Sequence, residues 1–330
     1  MYEEAPFAVQ QKADAMPGVL TGIIDPVYQG RSRERVATCG GLVATVADAD
    51  SSPVRIGAGN QVQMIVTGSQ SSGFPVATSE LEAFGLKFSS GGSHISRTMM
   101  LQEIAGVLAV VPVGAPAIDY RVAIVERNVL GKPTDSTRQK TLRHLRELYG
   151  LDETVPIFGL LRKLHAMDPA SLPLLALQVA WARDPLLRAT TRPVLDAFPG
   201  DRVETSDLAL AVEAGFPDQY SELNRNKVAR NAASTWTQSG HLAGRGKKVR
   251  QRVAPSAVAG TMALFLGQVT GSHGAALFDS PWCRLLDLSP DRARALASEA
   301  HRAGLLNLRA IGDVIDVNFP LFAEFQEALP

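Results

Sequence analysis

From residue 79 onward apolar side chains recur at helical spacing, while strict alternation is confined to a few short stretches. The strongest helical pattern lies in the middle of the chain. Helices are predicted over Glu153 to Met167, Ser171 to Asp184 and Pro185 to Ala197. The second of these, with the run LPLLALQVAWA, is apolar almost all round and is expected to be the buried axis of its half. Upstream, Glu80 to Phe88 leads into a Gly-Ser turn at Ser89 to Ser93, and a helix follows over Ser96 to Leu108. It points Met99, Met100, Ile104 and Val107 at the core. Asp119 to Leu130 reads as a helix closed by Gly131 and Pro133. Asp135 or Ser136 then caps Thr137 to Tyr149, which Gly150 ends. That last helix is apolar along Leu142, Leu145 and Tyr149 and basic along Arg138, Lys140, Arg143 and Arg146. The basic side reads either as a solvated face or as a phosphate-contacting one.

Residues 1–78 have a different texture. Gly41 to Val46 and Gln61 to Val66 are candidate strands, set among Gly57, Gly59, Gly68, Ser69, Ser71, Ser72 and Gly73. A small β appendage or an upstream extension fits this segment. Asp48 and Asp50 read as a solvated turn before Ser51-Ser52-Pro53, not as metal ligands.

Pro199-Gly200-Asp201 marks a boundary. Beyond it Thr205 or Ser206 caps a helix over Asp207 to Glu213, followed by Gly215. A longer helix spans Asn224 to Gln238 and ends before Gly240. Val228, Ala229, Ala232 and Trp236 share one arc of it. Asn226, Lys227, Arg230, Asn231, Ser234, Thr237 and Gln238 share the opposite one. His241 and Leu242 begin an extended piece, and Gly244-Arg245-Gly246-Lys247 supplies a turn. Val249, Gln251 and Val253 then alternate with Lys248, Arg250 and Arg252, which places three cations on one strand face. Helix, helix, short strand, basic turn and basic strand outline a winged helix, whose second helix enters a DNA groove. After Pro255 an apolar helix, Ser256 to Val269, is followed by a second such outline. Ser289 caps Pro290 and a helix over Asp291 to Arg302, Gly304 closes it, and Leu305 to Asn307 with Val314 to Phe319 form a hairpin around Ile311-Gly312-Asp313. Gly240-His241-Leu242 with Arg245 matches Gly304-Leu305-Leu306 with Arg309 at a constant offset, so the unit reads as a repeat. Its turn carries Asp313 and Asp316 and is not basic. The predicted fold is therefore mainly α with small β-hairpins: a segment over 1–78, a helical domain over 79–203, a winged helix with a basic wing over 204–254, and a second winged-helix-like unit over 255–330.

Charge sharpens this picture. The chain has 33 basic and 33 acidic residues. Yet between Glu222 and Asp279 there is no acidic residue, and Arg225, Lys227, Arg230, Arg245, Lys247, Lys248, Arg250 and Arg252 all fall in that window. A local positive field on a neutral protein is the footprint of a polyanion partner. The candidate DNA-binding residues are Asn226, Lys227, Arg230, Asn231 and Ser234 on the helix and Arg245, Lys247, Lys248, Arg250 and Arg252 on the wing. Asn226, Arg230 and Ser234 are placed toward base edges, and the cations toward phosphates. No stripe for dimerisation is evident.

Catalytic patterns are missing. The six histidines show no metalloprotease spacing, and there is no Gly-x-Ser-x-Gly, Cys-x-x-Cys or Gly-x-x-x-x-Gly-Lys-Ser/Thr. Pro217-Asp218 with Glu222 lacks the acid-x-Lys triplet of a nuclease. His241 is expected to pack or to touch a phosphate. No enzyme activity, cofactor or metal is predicted. The acidic start MYEEAPFAVQ is unlike a secretory signal, the longest apolar stretch is broken by glycines and prolines, and Cys39 and Cys283 lie far apart. These features predict a soluble protein of the reducing cytoplasm with no membrane partner.

FGLKFSSGG from Phe84, RVAIVERNVLGKPTDSTR from Arg121, the helix through Tyr149, NRNKVARNAASTWTQSGHL from Asn224 and VNFP from Val317 together resemble the BrxA family. BrxA is a small component of BREX, the bacteriophage exclusion defence systems. The resemblance covers about residues 80 to 325 and leaves residues 1–78 outside it. It implies a helix-rich protein with winged-helix parts, binding of double-stranded DNA, and an anti-phage role beside other BREX proteins. It supplies no catalytic residues. Two other functions fit the same outline. One is a winged-helix transcriptional regulator, dimeric and specific for one operator. The other is a non-catalytic scaffold whose winged helices bind protein.

Overall fold

The computed structural model describes residues 74–312 and 314–326, with the backbone of five short strands nearer the N-terminus. The chain divides into two compact units, Met1–Ser71 and Ser72–Pro330. In the first, β1 (Asp25–Pro26), β2 (Arg35–Cys39) and β3 (Leu42–Val46) form an antiparallel sheet in that order, with Cys39 opposite Leu42. β4 (Val54–Arg55) pairs with β5 (Gln61–Val62). The strand predicted over 41–46 is β3. The one predicted over 61–66 contains β5 in its first two residues, and its remainder lies outside the described residues, as do the side chains of Asp48 and Asp50.

The second unit is mainly helical with small antiparallel sheets. Its helices are α1 (Ser79–Phe84), α2 (Leu101–Leu108), α3 (Ala117–Arg121), α4 (Asp135–Tyr149), α5 (Pro156–Met167), α6 (Leu172–Arg183), α7 (Pro185–Ala189) and α8 (Thr191–Leu195). Side-chain caps open α1, α4 and α7: the Thr134 hydroxyl accepts the Thr137 N–H to open α4, one residue before the cap read from sequence, and Gly150 at φ 95° closes it. α6 is the buried axis that its composition predicts, with every residue from Leu174 to Arg183 inside. Trp181 within it and Trp236 and Trp282 outside it are buried. Each indole N–H is satisfied by a threonine hydroxyl, of Thr191, Thr190 and Thr270, at 2.8–2.9 Å.

Three helices depart from the sequence reading. Ser96 to Met100 is irregular and not helical, and α2 starts only at Leu101 after Met100 at φ 54°. The backbone N–H groups of Met99 and Leu101 are taken by Thr235 Oγ1 and Gln238 Oε1 from a distant helix, so tertiary partners replace the helical ones. The helix expected to reach Leu130 stops near Glu126, because Asn128 at φ 49° turns the chain and bonds both backbone groups of Lys132. The helix expected over Pro185 to Ala197 breaks at Thr190, three residues before Pro193, which has no N–H for the α-helical bond to Ala189.

The C-terminal part continues with β6 (Arg202–Val203), α9 (Thr205–Gly215), α10 (Glu222–Gln238), β7 (Leu242–Ala243) and β8 (Lys248–Arg250). The three strands form an antiparallel sheet in the order β6-β8-β7. Neither Thr205 nor Ser206 caps α9. Glu204 precedes it without a side-chain bond. Next come α11 (Ala257–Val269), capped by Ser256, α12 (Pro281–Leu285), and α13 (Pro290–Arg302), capped by Ser289 with Pro290 in its first turn. β9 (Asn307–Ile311) and β10 (Val314–Asn318) make a two-stranded ribbon whose first strand lies later than the expected Leu305 to Asn307. A short α14 (Ala323–Gln326) follows Phe319 and Phe322, which pack edge-on against Phe265 at 5.2 and 5.1 Å. One hydrophobic cluster runs from Leu81 to Phe325, through the three sections that the sequence separates after residue 78. Among the described residues no helix is long and apolar enough to cross a membrane.

Candidate nucleic-acid interface

α10 is the best-defined element of the basic window. Ser221 caps it by accepting the Asn224 N–H, so it begins at Glu222, two residues before the expected start. Val228, Ala229, Ala232 and Trp236 are fully buried, as the helical period requires. Lys227 and Arg230 are exposed, and Asn226 is half-buried on the same side. Arg225 is held down: its guanidinium meets Glu213 of α9 at 2.5 Å and donates to the Tyr220 carbonyl at 2.7 Å. That pair fixes α9 against α10.

Two of the polar positions expected to face a ligand face the protein or their own helix. The Asn231 amide donates to the His94 carbonyl at 2.8 Å, and Ser234 Oγ donates to the Arg230 carbonyl one turn back at 3.0 Å. Asn231 belongs to a seam that the sequence does not disclose. His94, buried, gives its Nδ1 and its backbone N–H to Asp184 Oδ2 at 2.7 and 3.0 Å, and its Nε2 lies 2.8 Å from Thr235 Oγ1. Asp184 spends its other oxygen on capping α7 at Leu186 and Leu187. Gly92, at φ 151°, is required beside it, since a Cβ there would sit 2.2 Å from Asp184 Oδ1. Asp184 is the one member with a legible sequence signal, an aspartate directly before Pro185 at a helix start.

The hairpin is clamped to the end of α10. Lys248 Nζ donates to Thr237 Oγ1 at 2.9 Å and to the Gly244 carbonyl at 2.8 Å, and partial burial lowers its pKa. Arg250 is buried. Its guanidinium pairs with Asp287, whose carboxylate also accepts the Val253 N–H at 2.9 Å. Lys248 and Arg250 do share a strand face, but it is the inward one. The expected row of three cations on one strand face is thus corrected: β8 ends at Arg250, which is a buried ion pair because Asp287 from beyond α12 meets it there, and Arg252 lies past the strand. His241 is fully buried at the base of the hairpin, and packing is its role. Its Nε2–H donates to the Leu285 carbonyl at 2.9 Å, and Nδ1 lies 2.8 Å from Ser239 Oγ. Burial depresses its pKa to about 4, with Asp287 opposing and Arg250 assisting the shift.

Five cations of the window remain exposed: Lys227, Arg230, Arg245, Lys247 and Arg252. Among the described residues none of their side chains makes an ion pair or a hydrogen bond. By contrast Arg121, Lys132, Lys163, Arg192, Arg202 and Arg284 each meet a carboxylate. The described residues contain no group of three or more His, Cys, Asp or Glu side chains able to hold a metal. Comparison with known proteins finds no family model and no curated protein that matches this chain.

Proposed function

We propose that this chain binds double-stranded DNA, mainly through phosphates, with α10 as the recognition helix and the β7–β8 hairpin as a wing. The observation that carries the reading is the set of five exposed, unpaired cations on one helix–hairpin module of a neutral protein. The order β6-β8-β7 around α9 and α10 supports the winged-helix reading, because it joins helix pair and hairpin in one small sheet. Cations outnumber free amides on that face, which favours phosphate contacts over base readout. In line with its resemblance to BrxA, we place the protein in anti-phage defence as a non-catalytic DNA-binding component of a BREX system, acting beside other BREX proteins.

The test is fluorescence anisotropy on a random duplex of about 30 base pairs, titrated with salt. Each phosphate contact contributes about 0.9 to the slope of log K against log salt. Changing Lys227, Arg230, Arg245, Lys247 and Arg252 to Ser is expected to make the slope shallower by up to about 4.5. No binding at low salt, or an unchanged slope, overturns the proposal. A protein-binding role for the second hairpin has its own support. Ile311 and Val314, paired across its tip, are 81% and 71% exposed.

A further inference from the structure

The strap from Ser93 to Leu101, a 3-10 turn over Ser93–Ile95 followed by irregular chain, bridges two helices that carry free positive charge. On one side it is held by α4: Ser93 Oγ donates to Glu147 Oε2 at 2.7 Å and lies 3.3 Å from His144 Nδ1, and Tyr149 OH donates to the Met99 carbonyl at 2.5 Å. On the other side it is held by α10, through Asn231, Thr235 and Gln238. At about 100° per residue, Lys140, Arg143, His144 and Glu147 occupy one arc of about 100° on α4. The same count places Lys227, Arg230, Ser234 and Asn231 on one arc of α10. So the residues that grip the strap and the exposed cations are neighbours on both helices. Lys140, Arg143 and, about 60° further round the helix, Arg146 are exposed and, among the described residues, make no side-chain ion pair or hydrogen bond. Arg97 sits in the strap itself, where it donates to the Ser96 carbonyl at 2.8 Å; burial lowers the pKa of His144, and the charges of Arg97 and Arg143 lower it further. The acid of this seam, Glu147, is engaged by Ser93 and His144.

We propose that α4 and Arg97 form a second row of phosphate contacts that binds the same duplex as α10 and its hairpin. The proposal rests on the DNA-binding reading above. Its chemistry is charge complementarity. Lys140 to Arg146 spans about 9 Å of helix at 1.5 Å per residue, comparable to about three phosphate steps of one strand at 3.4 Å each. The footprint then extends beyond the winged module onto the helical part of the same compact unit.

The experiment compares three full-length variants with the parent on the 30-base-pair duplex. The first changes Lys140, Arg143 and Arg146 to Ser. The second removes the five cations of α10 and the hairpin. The third changes Arg292, Arg302 and Arg309 to Ser, exposed cations of α13 and β9, which removes equal charge away from the seam. The α4 variant is expected to lose about 2 to 3 units of salt slope, at about 0.9 per contact, while the third variant keeps the parent slope. Circular dichroism melts matching the parent show that the exposed substitutions leave the fold intact. If the α4 variant keeps the parent slope while the five-cation variant loses its own, the second row is refuted and the first reading survives. Equal losses in the α4 variant and the third variant refute it too, as an effect of net charge. A parent with no salt-dependent binding removes both.

Discussion

Arg250 and Arg252 stand two positions apart and do opposite things. Arg250 faces inward and neutralises Asp287, which sits at φ 56° after α12 and also caps the Val253 N–H. Removing one partner of a buried ion pair leaves the other charge without water or a counter-ion, a loss of about 3–5 kcal/mol. Arg250→Ala is therefore expected to lower the denaturant midpoint sharply and to leave the salt slope of the folded protein near the parent value. Arg252→Ala is expected to do the reverse: an unchanged midpoint, and a slope shallower by about 0.9. Urea unfolding and anisotropy on the same two variants check both halves. His241 gives the pH dependence of the same corner. Its native pKa of about 4 lies below the value near 6.5 of an unfolded histidine, so the unfolded chain binds the proton first. Its stabilisation is complete above pH 6.5 and is lost as pH falls toward 4, at no more than about 1.4 kcal/mol per pH unit. Urea midpoints from pH 7 to pH 5 are expected to fall in the parent. In His241→Asn, less stable at pH 7, they are expected to fall less over that window.

At the level of elements, what the sequence discloses depends on how local the deciding contact is. α10 is legible at its end, where Gly240 acts beside it, and its buried stripe follows from the period alone, but its start is read at Asn224, two residues late, without the Ser221 cap. The hairpin is legible as an element but not in its orientation. Alternation tells which residues share a face, and Asp287, 37 residues on from Arg250, decides which face turns inward. Ser96 to Met100 has a helical pattern and is irregular, since Thr235 claims the N–H of Met99 and Gln238 that of Leu101 just after it. His94 and Asp184 carry no pattern at all as a pair, being brought together only by the fold. The turn of the hairpin offers a test at this scale. Gly244 has φ +96°, and a Cβ on it would lie 2.1 Å from the Lys247 carbonyl oxygen, whereas a Cβ on Gly246 meets nothing within 4 Å. Gly244→Ala is expected to cost roughly 1–3 kcal/mol and to weaken DNA binding by distorting the turn that carries Arg245 and Lys247. Gly246→Ala is the control, expected to match the parent in both thermal melts and anisotropy.

For the whole molecule, the question is where the second compact unit begins in chemical terms. The sequence places a change of character near Ser79, where helical periodicity starts. Phe74 lies upstream of that change and already packs into the unit. The Arg188 guanidinium sits 3.7 Å from its ring centroid, and Trp181, Phe88 and Trp282 surround it at 5.0, 5.5 and 6.0 Å. Arg188 is itself buried and donates to the carbonyls of Trp181, Ala182 and Lys87. The ring therefore covers a cation that links α7, α6 and the segment after α1. A fragment starting at Ser72 is expected to keep the parent's thermal midpoint for this unit and its full salt slope, because the proposed DNA contacts and the described core all lie within it. A fragment starting at Val76 loses the ring and uncovers Arg188 and the two tryptophans. Burial of part of a phenylalanine together with a partly desolvated cation–π contact is worth about 1–3 kcal/mol. The shorter fragment, and the point variant Phe74→Ala in the full chain, are expected to melt earlier by that amount. Equal midpoints for the two fragments place the structural start of the unit after Phe74 instead, at the point where its sequence pattern changes.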